Sequence, residues 1–149
     1  MNFDSELLHW LNSFAGKSEA LDTFMVFGAI FLWYWMIVGV LAFVIVSLHS
    51  KFRDKLKKNV ELLVISIISA FVARFMVTEL IRFFYIRPRP YLVLDSIYLL
   101  PHQLSGSMAT SGAFPSGHAA LSFAVATAVS FYYPKTSILF FLVAISMGI

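Results

Sequence analysis

Cysteine is absent from the 149 residues. That excludes disulfides, thiolate metal sites and a cysteine nucleophile. Charge is scarce as well. Asp, Glu, Lys and Arg together make up 13% of the chain, about half the share usual in a soluble domain. Apolar residues reach 60%, and the mean hydropathy is +0.83. Such a composition is foreign to disordered chains and to ordinary soluble globules. The formal charge is only +3. Nucleic-acid binding needs a basic stripe on an exposed face, and the longest stretches here carry no charge. The expected class is therefore an integral membrane protein, with residues 1–149 as a single membrane domain.

The first segment, Met1-Asn2-Phe3-Asp4-Ser5-Glu6, lacks the basic residues that open a secretory signal. Phe3, Leu7, Leu11 and Phe14 recur at helical spacing, with Trp10 beside them. The pattern predicts a short helix in the membrane interface, anchored by Trp10 and stopped at Gly16, or an ordinary helical lead-in to the first span.

From Thr23 to Leu48 runs a stretch of 26 residues without a charge, beyond the roughly 20 needed to cross a bilayer. Trp33, Tyr34 and Trp35 lie inside it and are expected to pack rather than to form an interfacial belt. The next ten residues, 49–58, hold five basic residues and one acid, the mark of a cytoplasmic loop. A second span is predicted from about Asn59 to Ile86, interrupted by Arg74, Glu79 and Arg82. Charges within a span are costly and are functional candidates. Arg74 and Glu79 are able to neutralise each other, and Glu79 and Arg82 share a helix face. Pro88 and Pro90 end the helix.

Residues 87–117 form a long connection, greasy in its first half and small and polar in its second. A third span is expected from Gly117 to Tyr133, then a turn at Pro134-Lys135. A fourth apolar run begins near Ser137 and ends with the chain at Ile149. Thirteen helical residues cover about 20 Å against a core of about 30 Å. The expected fold is thus an all-α polytopic bundle: three full spans, a truncated fourth and an interfacial N-terminal helix. The partial fourth span leads to the expectation of a fragment, with a naturally short chain as the alternative. The positive-inside rule places the basic loop and Lys135 in the cytoplasm, and the 87–117 connection outside. Arg82, Arg87 and Arg89 break that rule locally, which points to another task for them.

Two strings bracket the outer connection: Arg82-Phe83-Phe84-Tyr85-Ile86-Arg87-Pro88-Arg89-Pro90 and Pro115-Ser116-Gly117-His118. Arg82 and Arg89 are seven apart, about two helical turns. Two guanidiniums on one side make a fork suited to phosphate. Ser116 is a natural N-cap. The N–H groups of a helix start bind anions, and Gly117 admits a ligand close to the backbone. His118 falls in that first turn, and imidazole transfers protons near neutral pH. Singly, each feature has a plain reading: arginines snorkel, Pro-Ser-Gly is ordinary punctuation, and a lone histidine is structural. Together they describe a phosphate-handling site. With typical residue frequencies, Pro-Ser-Gly-His arises by chance in about one in a thousand chains of this length.

These strings resemble the first two signatures of the type 2 phosphatidic acid phosphatase superfamily, relatives of the vanadium haloperoxidases, whose pattern is K-x6-R-P, P-S-G-H and S-R-x5-H-x3-D. The second signature matches in full at residues 115–118. The first matches with Arg82 in place of lysine, in the Arg89 register only. The third is absent, and this chain stops about where it would begin. The resemblance implies Arg82, Arg89, Ser116 and Gly117 as phosphate-binding residues and His118 as a catalytic acid. The nucleophilic histidine of the third signature, which forms a phosphohistidine, is not among these residues, and His102 is the one substitute on the outer connection. The family's mechanism uses no metal or other cofactor. The implied activity is hydrolysis of a lipid phosphomonoester or diphosphate at the outer face of a bacterial plasma membrane. Phosphatidic acid, phosphatidylglycerol phosphate and undecaprenyl diphosphate all suit it, and the compact outer loop favours the last. The implied partners are the bilayer and its lipid phosphates, with no nucleic acid. The alternative is a non-catalytic binder of lipid phosphates or a membrane assembly subunit.

Overall fold

The computed structural model describes residues 3–85, 87–88 and 113–148. Among them every regular element is helical: α1 (Phe3–Asn12), α2 (Glu19–Leu48), a 3₁₀ turn (Ser50–Lys55), α3 (Leu56–Phe71), a π turn (Val72–Val77), α4 (Thr78–Phe84), α5 (Gly117–Tyr132) and α6 (Pro134–Ser146). The all-α expectation is met.

The amphipathic first segment forms α1, and Trp10 packs edge-on against Phe14 at 5.2 Å. The stop comes earlier than expected. The helix ends at Asn12, and Gly16 serves the turn into α2 with φ 78°, a conformation open to glycine. Its N–H donates to the Asp22 carboxylate at 3.0 Å, which ties the turn to the first turn of α2.

Residues Ile30–Leu48 of α2, and the continuous helix Ser50–Phe84, are long and apolar enough to cross a membrane. The apolar helices Gly117–Tyr132 and Pro134–Ser146 are shorter, at about 24 and 20 Å of rise. The expected three full spans and a partial fourth thus correspond to two helices of spanning length and two shorter apolar ones.

The surface is unlike that of a soluble protein. Large apolar groups point outward: Phe131 is 81% exposed, Phe83 79% and Phe24 73%. The interior combines Met36, Val40, Leu62, Val125, Val129 and Phe140 with small residues, among them Ala126, Ala128, Ala144, Ser47, Ser66, Thr78 and Ser122. Hydrocarbon chains give apolar side chains no reason to turn inward, so small residues that let helices approach take the interfaces. Gly39 shows how close that approach is. A Cβ there would meet the Phe140 ring at 2.9 Å. Trp33, Tyr34 and Trp35 divide accordingly. Trp33 is half-buried, while Tyr34 and Trp35 face outward, because three successive helical residues sweep about 200° and cannot share one face.

Helix α5 is the centre of the bundle, packed on α2, α3, the π turn and α6. One end is locked by a polar network. Asn59 of α3 donates to the Phe43 carbonyl at 2.8 Å and to Ser47 Oγ, both on α2. The Tyr133 hydroxyl, between α5 and α6, donates to Asn59 Oδ1. Tyr133 also stacks on Phe43 at 4.5 Å, and Lys58 Nζ donates to the Tyr132 carbonyl at 2.9 Å. Pro134 starts α6, where its missing N–H costs nothing. The candidate site lies at the other end of α5.

Candidate functional site

The site forms where the end of α4 meets the start of α5. Helix α4 stops at Phe84, and Tyr85 is extended (φ −138°, ψ 100°). The stop comes two residues before the expected end at Ile86 and four before Pro88. The Ala113 N–H donates to the Arg87 carbonyl at 2.8 Å, and Tyr85 packs edge-on against Phe114 at 6.4 Å. These contacts bring the two sequence strings together. Ser116 caps α5 as expected, its Oγ accepting from the Ala119 N–H at 3.3 Å.

Arg82 is the direct link. Its Nη2 donates to the Pro115 carbonyl at 3.0 Å, so the first string grips the first residue of Pro-Ser-Gly-His. The side chain is 17% exposed, and Nε is buried without a hydrogen-bond partner. Its Nη1 donates to Glu79 Oε1 at 3.2 Å. The same carboxylate oxygen accepts from Arg74 Nη1 at 2.7 Å. One oxygen therefore bridges two guanidiniums and offsets their mutual repulsion. The pairings foreseen for Arg74, Glu79 and Arg82 are all present.

Arg74 also lies against the start of α5. A Cβ on Gly117 would meet Arg74 Nε at 2.5 Å, Cδ at 2.7 Å and Cζ at 2.9 Å. Gly117 is buried and its φ is not positive. Glycine is needed there for room, not for backbone freedom. This contact was not legible in the sequence. On a regular α-helix Arg74 would stand about 80° around from Arg82, eight residues on at about 100° each. The π turn Val72–Val77 absorbs one residue of that rotation. The two arginines then lie about 20° apart. Thr78 Oγ1 donates to the Ala73 carbonyl, five residues back, at 2.8 Å, and supports the wide turn.

His118 follows Gly117 in the first turn of α5 and is exposed. Its ring lies 6.0 Å from that of Trp33, so α2 supplies one wall. The structure thus gathers Arg82, Ser116, Gly117 and His118. Arg89 and His102 lie outside the described residues. The described partners of Arg82 are Glu79 and Pro115. Among the described residues no group of three or more His, Cys, Asp and Glu side chains is placed to hold a metal. What the arrangement offers is cations, helix-start N–H groups and an imidazole at one point, the requirements for binding an anion and moving a proton beside it.

The family model of the PAP2 superfamily matches residues 60–149. The chain belongs to the PAP2 superfamily. The match runs from α3 through α6 and takes in both halves of the site. No curated protein and no solved structure matches the chain. Membership makes it a phosphatase-type hydrolase in general class and, together with its apolar helices, a membrane protein.

Proposed function

We propose that the full-length protein releases phosphate from a lipid phosphomonoester or diphosphate at the outer membrane face. The observation that carries this reading is the Arg82–Pro115 hydrogen bond. It seats the first string's cation on the helix start that bears His118. In the reading, the phosphate lies against Arg82 and the first N–H groups of α5, with Ser116 and Gly117 at its edge. Arg89 adds a second cation from the outer connection. A family-type histidine nucleophile attacks phosphorus and forms a phosphohistidine. The P–O bond to the lipid breaks, and His118 gives its proton to the departing oxygen. Water then attacks the phosphohistidine and inorganic phosphate leaves. The negative charge that builds on the equatorial oxygens is met by donors already in place, which avoids reorganisation at the moment of reaction. The exposed apolar flank of α4, with Phe83 and Phe84, suits a substrate whose tail stays in the bilayer. The basic residues of 49–58 set the opposite end of the bundle in the cytoplasm.

The test is His118→Ala in the full-length protein. Phosphate release from micellar phosphatidic acid, phosphatidylglycerol phosphate and undecaprenyl diphosphate should fall by orders of magnitude. Unchanged turnover overturns the assignment. Lipid-phosphate binding without any release by the unaltered protein supports the binding-protein alternative.

A further inference from the structure

The structure assigns Arg74 as a further phosphate-binding residue of this site, with Glu79 holding the place of the anion when the site is empty. The inference rests on the reading of the site as a lipid-phosphate site, and adds to it a residue outside both sequence strings. Three observations carry it. First, the π turn swings Arg74 onto the Arg82 side of the helix, and the guanidinium lies against Gly117 at the start of α5. It therefore borders the N–H groups that would receive an anion. Second, a single Glu79 oxygen accepts from both arginines, the arrangement a phosphate oxygen would adopt between them. Third, Glu79 is half-exposed, at 50% of its side chain. It can turn to water when a better-matched anion arrives, whereas Arg82 is mostly buried and fixed to Pro115. A guanidinium carries five N–H donors, and the described ion pair occupies one on Arg74. Donors thus remain for two phosphate oxygens in a planar fork.

The competing explanation is that Arg74 merely neutralises Glu79. Charge-balanced variants separate the two. Inorganic phosphate binding is measured by calorimetry on the full-length protein in detergent, alongside turnover of a micellar lipid phosphate. Arg74→Ala should weaken phosphate binding by about tenfold or more, the range for a hydrogen bond to a charged group. Arg74→Lys, which keeps the stem and the charge, should lose part of that affinity because the fork is gone. Glu79→Gln should tighten phosphate binding severalfold by removing the competing anion. The decisive variant is Arg74→Ala with Glu79→Gln, which restores the local charge. It should still bind weakly. Recovery of unaltered affinity in that double variant overturns the inference and leaves the phosphatase reading standing. Arg74-dependent binding with no release from any lipid phosphate supports the inference and overturns the phosphatase reading. A full-length protein that does not bind phosphate at all overturns both.

Discussion

Gly117→Ala is the sharpest single perturbation of this site. The new methyl group would sit 2.5–2.9 Å from three atoms of Arg74. Ordinary contacts between such atoms lie at about 3.5–4.0 Å, so the overlap is about 1 Å. The backbone of Gly117 is helical and not in the positive-φ region, so alanine fits it without strain. The movable partner is the Arg74 side chain, which must retreat by about 1 Å and loosen its bond to Glu79. Displacing a group that positions substrate by about 1 Å costs on the order of 100-fold in rate, or about 2.7 kcal/mol of transition-state stabilisation. Stability should move little, because alanine in place of glycine within a helix gains about 0.5–1 kcal/mol and the half-exposed ion pair contributes little. Activity and stability are thereby expected to separate. The assay is kcat/KM for lipid-phosphate hydrolysis by the full-length protein, with thermal unfolding measured on the same samples. A double-mutant cycle identifies the cause. On an Arg74→Ala background there is nothing left to displace, so Gly117→Ala should add little further loss. An equal, additive loss on that background would refute the reasoning, since the damage would then come from α5 itself.

Two further predictions concern the scaffold. Asn59→Ala removes the shared partner of Phe43, Ser47 and Tyr133; Ser47 Oγ keeps its bond to the Phe43 carbonyl, but the part-buried Tyr133 hydroxyl loses its acceptor, at about 1–3 kcal/mol; a fall in thermal midpoint is expected, and an unchanged midpoint would show that the network is not structural. Gly39→Ala puts a methyl 2.9 Å from the Phe140 ring and should destabilise the α2–α6 contact by about 1–3 kcal/mol; Phe140→Leu should relieve that cost, and failure to do so would place the strain elsewhere.

Much of this molecule was legible without coordinates. The uncharged stretch from Thr23 to Leu48 and the apolar runs after it required helices, because backbone groups inside a bilayer must bond within their own segment. Ser116 before an apolar run announced the start of α5, since an N-cap is a local property of a side chain and the two or three residues after it. Pro-Ser-Gly-His, with Arg82 upstream, pointed to a phosphate site and to the superfamily whose model covers residues 60–149. The charge trio Arg74, Glu79 and Arg82 paired as their spacing allowed.

Other features were settled only by packing. The outward faces of Tyr34 and Trp35 could not be read from a helix that is apolar all round, because such a helix offers no polar face to orient it. Arg82 finds the Pro115 carbonyl across 33 residues of chain, a contact that helical periodicity does not reach. Arg74 reaches Gly117 because a π turn changes the phase of the helix by one residue, and no local propensity in Val72–Val77 signals it. The helices, their apolar character and the cap of α5 could be read from the chain, because capping, hydropathy and residue type act locally. Which arginine lies against which helix start was decided by tertiary structure alone, because that depends on the phase of one helix against another.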